Sequence, residues 1–275
     1  MTERLHGVHL PCPFLLVTGG KGGVGKSTVA ANLGVELARR GVDTLLVDLD
    51  LGLANLDVLL KLERVGDVED LLTGRREIED CVVRGPAGVH VLAASAGAAE
   101  LARPDAERRR ALLDEVARLA SAYQVVIGDS AAGIGEDVLA FAAAASRVLV
   151  VTSPEPAAVT DAYGVIKALD GWAAEAGVEV PTPDLFVNFA SGHEEARRVA
   201  KNLRDVAARF LARSPRFLGW MPRSRSVLTA GLGQQSFVLT EPDSPASRCL
   251  HRLAEQVGGR AAAVSALKAL DCHVR

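Results

Sequence analysis

The sequence predicts an α/β fold in which helices cover both faces of a mostly parallel central sheet. Short apolar runs of strand length alternate with longer helical stretches along the chain. The runs are almost continuously apolar, as expected for strands buried on both faces. Strand–helix–strand repetition places the carboxyl ends of the strands at one edge of the sheet, and ligands of such folds bind at that edge.

Each predicted strand is an apolar run bounded by turn or helix residues. The strands are Phe14–Thr18, Thr44–Asp48, Val89–Ala93, Val125–Asp129, Val148–Thr152, Leu185–Asn188 and Arg216–Trp220. The predicted helices span 26–40, 105–122, 135–145, 156–177, 192–213 and 245–258. Helical periodicity puts four apolar residues of the helix at 192–213 on one stripe, opposite three basic residues. The stripe is Val199, Leu203, Val206 and Phe210, and the basic residues are Arg197, Lys201 and Arg204.

Length and composition indicate one globular domain. The chain has 275 residues, of which 49% are hydrophobic and 24% charged, with a net charge of −3. These values exclude a disordered chain and a global cationic field for nucleic acid. No apolar run approaches the ~20 residues of a membrane span, and no repeat or flexible linker is present. We expect a single domain over 1–275, with a core at about 14–258 and a helical tail at about 259–275.

The cysteines and the first residues predict a cytoplasmic protein. Cys12, Cys81, Cys249 and Cys272 are widely separated and form no pair or cluster with histidines. That spacing supports neither a zinc site nor a disulfide framework, so we expect small buried side chains. Residues 1–13 lack the unbroken apolar segment of a secretion signal.

The segment from Gly20 to Ser27 matches the phosphate-binding pattern G-x-x-x-x-G-K-[ST], between a strand and a helix. Its glycines allow backbone N–H groups to surround phosphate oxygens at the positive end of the helix. We expect Lys26 to reach the β- and γ-phosphates and Ser27 to ligate Mg²⁺. The chain is therefore predicted to be a P-loop NTPase. Its predicted nucleotide-binding residues here are Gly20, Lys21, Gly22, Gly23, Val24, Gly25, Lys26, Ser27 and Thr28.

Three aspartates lie at or just past the ends of predicted strands, beside this loop. Phosphoryl transfer requires a held Mg²⁺ and an aligned water rather than covalent chemistry. We expect Asp129 to hold Mg²⁺ through a water and Asp48 to support the metal shell. Asp50 is expected to orient the attacking water, so Lys26 and Asp50 are predicted catalytic residues.

The second lysine of the loop carries a family resemblance. Lys21-Gly-Gly-Val-Gly-Lys-Ser-Thr28 resembles the deviant Walker A motif of the MinD/ParA class of ATPases. In that class the extra lysine reaches across a dimer interface to the ATP of the partner, so the resemblance makes Lys21 a further predicted catalytic residue. The resemblance therefore implies an ATP-dependent homodimer with ATP and Mg²⁺ as cofactors, reset by slow hydrolysis.

Further segments resemble the FlhG branch, also called FleN or YlxH, over nearly the whole chain. These segments are 48–60, Asp129-Ser-Ala-Ala-Gly-Ile134, 152–167, Val187-Asn188 and Leu218-Gly-Trp-Met-Pro222. The resemblance implies control of flagellar number or placement, with an FlhF-like GTPase as partner. It also implies an adenine site at Asn188, Pro222 and Arg223, although the family usually has an acid after that proline. Residues 1–13 lack the Asp-Gln-Ala element by which the branch stimulates FlhF.

Two interface residues and two surface regions are further expectations. Asp161 lies where relatives of the family bind partners, and Asn55 follows the switch region, so both are expected at an interface. The tail at 261–275 offers Val264, Leu267, Leu270 and Val274 but few cations, so peripheral contact with an anionic membrane stays open beside a docked terminal helix. Residues 197–225 hold nine basic residues against the single acid Asp205. A solvated face is the simpler interpretation, and non-specific DNA binding is not favoured.

Alternatives with the same fold remain. MinD-type division-site regulation and ParA-type partitioning of DNA or cargo are open within the family. A metal-cluster scaffold needs cysteines in the switch regions, one of which is the segment 129–134, and this chain has Ala131 and Ala132 there. A scaffold that binds nucleotide without turnover is disfavoured by Asp50 and Asp129.

Overall fold

A computed structural model of the chain describes residues 8–94, 104–211 and 213–272, with side chains up to residue 259. The strands are β1 (Phe14–Gly19), β2 (Thr44–Leu49), β3 (Val82–Arg84), β4 (His90–Leu92), β5 (Val125–Ala132), β6 (Arg147–Thr152), β7 (Asp184–Ala190) and β8 (Arg216–Pro222). The helices are α1 (Lys26–Arg39), α2 (Leu56–Leu60), α3 (Val68–Leu72), α4 (Ile78–Cys81), α5 (Ala106–Ala120), α6 (Glu136–Ala144), α7 (Pro156–Ala176), α8 (His193–Leu211), α9 (Arg225–Leu232), α10 (Phe237–Thr240) and α11 (Pro245–Cys272).

The strands form one sheet in the order β3-β4-β2-β5-β1-β6-β7-β8. All neighbouring pairs are parallel except β3 and β4 at one edge. The predicted α/β fold is confirmed. Because β1 lies centrally between β5 and β6, the loop after β1 opens at the middle of the ligand-binding edge.

Apolar side chains pack against both faces of this sheet. One core contains Leu15, Val17 and Ile127 of the strands with α1, α10 and α11. The other contains the alternate strand residues, such as Leu16 and Val126, with α5 to α8. Burial on both faces is the reason why the strands read as continuous apolar runs in the sequence.

The structure adds elements that the sequence pattern did not reveal. The short edge strand β3 and the short helices α2, α3, α4, α9 and α10 were not predicted. Each has at most eight residues, too few for a clear period. No helix among the described residues is both long and apolar enough to cross a membrane.

Only half of the apolar stripe predicted for α8 is buried. Val199 and Leu203 contact the core, but Val206 and Phe210 are 40% and 63% exposed. Arg209 covers the ring of Phe210 at 5.2 Å from its centroid. The stripe therefore continues beyond the sheet, where no layer of the described chain covers it.

The last helix differs from the predicted one. The helix expected at 245–258 continues without a break into the predicted tail and ends at Cys272. The tail side chains named above, and that of Cys272, lie outside the description. Cys81 and Cys249 are buried, as expected, whereas Cys12 is half-buried.

Candidate nucleotide site

The glycine-rich loop between β1 and α1 is held tightly at its two ends. A Cβ on Gly20 would lie 2.2 Å from the carbonyl oxygen of Asp161 in α7. A Cβ on Gly25 would lie 2.3 Å from Nδ2 of Asn188, and Gly25 has φ +90. Only glycine fits such close approaches, so the two end glycines fix the loop against α7 and β7.

The middle of the loop is open. No atom lies within 4 Å of the position that a Cβ would take on Gly22 or Gly23. Helix α1 begins at Lys26 without a side-chain cap, so its first amides are free to bind a ligand. An open concave backbone at the N-terminus of a 14-residue helix is the arrangement that binds phosphate.

Lys26 and Asp129 meet beneath this loop. Asp129 of β5 lies beside Val17 of β1 and Asp48 of β2 in the sheet register. Lys26 is buried, and this burial lowers its pKa although Asp129 and Asp50 oppose the shift. A buried ammonium beside carboxylates is pre-positioned for a ligand that brings further negative charge.

Asp129 is a buried acid without hydrogen bonds. It is 1% exposed, and neither carboxylate oxygen has a hydrogen-bond partner in the described part of the chain. Burial raises the pKa of Asp129 to about 8, and the charge of Asp48 adds to this effect. The Ser27 hydroxyl is close enough to lower that pKa, without completing a hydrogen bond to either oxygen. A buried carboxylate left in this state is a candidate ligand for a cation.

Asp48, in contrast, has both oxygens engaged. Its Oδ1 accepts from the backbone N–H of Asp50 at 3.1 Å, and its Oδ2 accepts from those of Asn55 at 3.0 Å and Leu56 at 3.1 Å. Burial raises the pKa of Asp48 to about 6 despite these bonds. Asp48 therefore shapes the loop from Asp50 to α2, and its place in a metal shell stays a prediction.

Asp50 is half-buried at the mouth of the site. Its Oδ1 accepts from the backbone N–H of Leu53 at 3.1 Å, and its charge acts on both Lys26 and Asp129. The remaining carboxylate oxygen is available to a water at the same edge. The structure thus brings Lys26, Asp50 and Asp129 together, as the sequence predicted.

Lys21 makes an ion pair within its own chain. Its Nζ lies 3.2 Å from Oε2 of Glu155, the residue before α7. The two side chains are 41% and 59% exposed, so this pair contributes little to stability. Lys21 therefore remains free to exchange Glu155 for another anion.

The predicted adenine residues lie at the ends of β7 and β8. Asn188 is buried, and its Nδ2 donates to the carbonyl of Val24 at 2.9 Å, so this amide supports the loop. Pro222 ends β8, and the guanidinium of Arg223 lies 4.9 Å from the ring centroid of Phe189. Phe189 has φ +59, which is rare for a residue with a side chain. No sequence pattern points to Phe189, because positive φ at a bulky side chain depends on tertiary contacts.

The site fits a magnesium nucleotide. An unpartnered buried carboxylate, a hydroxyl beside it and an open backbone cradle supply oxygen ligands and amide donors. No cluster of three or more histidine, cysteine, aspartate or glutamate side chains in the described ranges could hold a metal alone. Mg²⁺ itself takes few protein ligands and completes its shell with phosphate and water.

The expected interface residues and the basic stretch at 197–225 also make contacts within the chain. The backbone N–H of Asn55 bonds to Asp48, and the Asp161 backbone packs on Gly20, so both expected interface residues also support the site. Within the basic stretch, Arg213 pairs with Asp170, Arg216 with Asp184, and Lys201 with Asp205. Arg213 and Arg216 are therefore neutralised by acids of other elements, and Lys201 by an acid of its own helix.

Comparison with known proteins places these features in a family. The model of the CobQ/CobB/MinD/ParA nucleotide binding domain matches residues 15–237. The chain is 35% identical over 247 residues to the antiactivator FleN of Pseudomonas aeruginosa, covering 90% of this chain and 86% of FleN. It is 36% identical over 163 residues to the flagellum site-determining protein YlxH of Helicobacter pylori, covering 56% of this chain and 52% of YlxH.

Solved structures show the same fold. The MinC:MinD cell division complex of Aquifex aeolicus contains a chain with 28% identity and a TM-score of 0.71, covering 90% of this chain and 96% of that one. The septum site-determining protein MinD of Pyrococcus horikoshii, solved with Mg-ADP, has 24% identity and a TM-score of 0.71, again over 90% and 96%.

Proposed function

Because the chain belongs to the MinD/ParA family of P-loop ATPases, we propose that it is an ATP-driven switch controlling flagellar number or placement. It dimerises when it binds ATP and separates after hydrolysis. The observation that carries the biochemical part is Asp129, a buried acid beneath the phosphate loop whose oxygens have no hydrogen-bond partner among the described residues. Similarity to FleN over 90% of the chain carries the cellular part. The switch is proposed for one domain, with its core at 14–258 and its tail at 259–275.

Each group of the site has a separate task in this proposal. The amides of 20–28 and the Lys26 ammonium would bind the triphosphate. Asp129 and Ser27 would hold Mg²⁺, which would supply positive charge to the phosphates. Asp48 orders the loop that carries Asp50. Asp50 accepts a hydrogen bond from the attacking water and aligns it, as expected for phosphoryl transfer.

The role of Asp50 is tested by the Asp50→Ala variant. It keeps the binding residues but loses the acceptor for the water, so ATP affinity should stay near that of the unmodified protein. Phosphate release should fall by about 100-fold or more. Hydrolysis at the unmodified rate would remove Asp50 from the mechanism. The control is Asp43→Asn, because Asp43 is exposed and precedes β2, at the edge of the sheet opposite the site.

Dimerisation is tested by light scattering with a non-hydrolysable ATP analogue and Mg²⁺. The proposal expects the mass to double with the analogue and not with ADP. Lys21→Ala should remain monomeric because the partner's phosphates lose a cation, whereas Lys167→Ala, an exposed change on α7, should behave normally. A chain that stays monomeric when saturated with the analogue would reduce the protein to a nucleotide-binding module.

The cellular role is tested by counting flagella. A deletion strain should show altered flagellar number or position, restored by the unmodified gene and not by one carrying Asp50→Ala. Normal flagella in the deletion strain, with misplaced division septa, would favour MinD-type division-site regulation. That alternative rests on the MinD structures, which match the fold over 90% of this chain.

The proposed partners follow from the proposed role in flagellar number or placement. An FlhF-like GTPase or another polar flagellar protein is the proposed partner of the ATP-bound dimer in the cytoplasm, with reversible contact at the membrane through the tail. Non-specific DNA binding is less favoured because acids of other elements pair with Arg213 and Arg216. Affinity capture with ATP-locked Asp50→Ala protein, compared with Lys26→Ala, identifies partners of the ATP state.

A further inference from the structure

The β5–α6 loop, residues 133–135, lies between the two loops that the proposed mechanism uses. It follows β5, which pairs with β2 on one side and with β1 on the other. The loop after β2 carries Asp50, and the loop after β1 is the phosphate loop. Because parallel strands end at the same edge, the β5–α6 loop borders the place where the attacking water would meet the γ-phosphate.

The first residue of this loop is fixed to the end of β1. The backbone N–H of Gly133 donates to the carbonyl of Gly19 at 3.0 Å, and Gly19 is the residue before the phosphate loop. Gly133 has φ +100, a conformation that residues with a side chain rarely adopt. The chain therefore turns sharply at Gly133, and its course from there depends on where α6 begins.

A buried arginine holds the start of α6. Arg109 of α5 is 6% exposed. Its Nη1 donates to Oδ1 of Asp137 at 3.1 Å, and its Nη2 donates to Oε2 of Glu136 at 3.2 Å. Nη1 also donates to the carbonyl of Pro104 at 2.7 Å, just before α5. Since Glu136 and Asp137 are the first residues of α6, one guanidinium joins the beginnings of the two helices.

The two acids contribute unequally to this contact. The Asp137 side chain is 26% exposed, and its burial raises its pKa although the charge of Arg109 opposes the shift. The Glu136 side chain is 82% exposed, so its ion pair contributes less. Buried ion pairs add little net stability, and Nε of Arg109 has no hydrogen-bond partner among the described residues. Positioning of α6 therefore explains this arginine better than stability does.

We propose that Arg109 is a positioning residue for ATP hydrolysis, which fixes the start of α6 and thereby the β5–α6 loop beside the γ-phosphate. This inference rests on the proposed hydrolysis and adds to it a residue outside the groups assigned above to nucleotide, Mg²⁺ and water. A displacement of about 1 Å near reacting atoms can cost roughly 100-fold in rate, so loosening the loop should slow hydrolysis. The phosphate loop keeps its own contacts, so binding of ATP should not change.

The test is Arg109→Met, which removes the charge and keeps an unbranched side chain. Turnover is measured at saturating ATP and Mg²⁺, at protein concentrations where light scattering detects the dimer with a non-hydrolysable ATP analogue. Turnover should fall about ten-fold or more, while the dissociation constant of the analogue and the mass of the dimer stay unchanged. Arg109→Lys keeps the charge and should recover part of the lost turnover.

Hydrogen exchange shows whether the loop is the cause. Peptides covering 133–137 should exchange faster in the Arg109→Met protein, because the start of α6 opens more often. Arg118→Met is the matched control, since Arg118 of α5 also binds two acids, Glu115 of its own helix and Glu79 of α4. Helix α4 leads to the edge strand β3, away from the site, so this change should leave both turnover and exchange at 133–137 unaltered.

The opposing outcomes are distinct. Unchanged turnover in Arg109→Met overturns the proposal, and so does lower turnover without faster exchange at 133–137. A parallel loss of analogue affinity or of the dimer would assign Arg109 to general support of the fold, which also overturns it. If Arg109→Met does not fold, Asp137→Asn replaces it, and turnover should then fall at least a few-fold with unchanged analogue binding. No hydrolysis by the unmodified protein would instead contradict the proposed function.

Discussion

A buried carboxylate lies near each end of α1, and the two differ in their hydrogen bonds. Next to its N-terminus, Asp129 is 1% exposed and makes no hydrogen bond in the described chain. In its third turn, Glu36 is 0% exposed but accepts from Arg39 at 2.8 Å and from Arg40 at 2.5 Å, with His251 at 3.5 Å.

Their pKa values follow from this difference. Burial raises the pKa of Asp129 to about 8. Burial also acts to raise the pKa of Glu36, but the hydrogen bonds of Arg39 and Arg40 outweigh it and hold that pKa below its usual value. A buried acid with hydrogen-bond partners stabilises the fold, whereas a buried acid without them is a candidate ligand-binding group.

The largest effect is expected where α1 begins. Lys26→Ala removes the ammonium that lies beside the carboxylates and that we propose binds the phosphates, so affinity for ATP should fall by about 100-fold or more. Equilibrium titration with a fluorescent ATP analogue measures this. Lys167→Ala removes an exposed lysine and serves as the control; tight binding by the Lys26→Ala protein would show that the loop amides suffice.

Near the start of α1, Asp129→Asn should raise the free energy of unfolding at high pH. The same variant should lose the stabilisation that Mg²⁺ gives to the folded protein. The folded chain binds a proton at Asp129 between roughly pH 4, where a free carboxyl titrates, and its raised pKa of about 8. Stability therefore declines as pH rises through this interval, because the unfolded chain releases the proton first.

The measurement is urea unfolding in EDTA without nucleotide. At pH 9 the Asp129→Asn variant should gain about 1 kcal/mol or more over the unmodified protein, and at pH 5 the two should be nearly equal. The same difference at both pH values would mean that the Asp129 charge is not the cause. Asp43→Asn, an exposed change, should show no such dependence.

At the other half of α1, Glu36→Gln should destabilise the fold by about 2 kcal/mol at pH 7, because charge-assisted hydrogen bonds to two arginines are lost. The stabilisation by Glu36 is present above the unfolded pKa of about 4.5 and is lost as pH falls through the lowered folded value. The two proteins should therefore converge in acid. A constant difference down to pH 3 would contradict the ionic origin.

The smallest effect is expected from the same chemical change at an exposed pair. Glu155→Gln removes the partner of Lys21, and the free energy of unfolding should change by no more than about 0.5 kcal/mol. Thermal or urea unfolding at low salt measures this. A loss as large as that of Glu36→Gln would mean that burial does not explain the difference between the two glutamates.

The candidate site was predictable to the extent that it is local in sequence. The loop at 20–28 and the aspartates at strand ends are short patterns whose chemistry depends on neighbours along the chain. Their convergence followed from the fold class, because parallel strands end at the same edge. Phe189 was missed, since its positive φ and its contact with Arg223 join strands that are over thirty residues apart.

The surface was predicted less well for the same reason. Basic residues of 197–225 looked like one charged region, but Arg213 and Arg216 pair with Asp170 and Asp184, which a linear count cannot reveal. The α8 stripe continued in the sequence past the point where the sheet stops covering it, leaving Phe210 exposed.

By itself, the sequence determined the layered α/β fold and the phosphate loop, because hydrophobic period and glycine spacing act over a few neighbouring residues. Only the tertiary structure decided which buried acids have partners, leaving Asp129 unsatisfied and Glu36 held by arginines. The physical reason is that desolvation and hydrogen bonding of a charge depend on atoms brought from distant strands and helices, and the sheet order sets those neighbours.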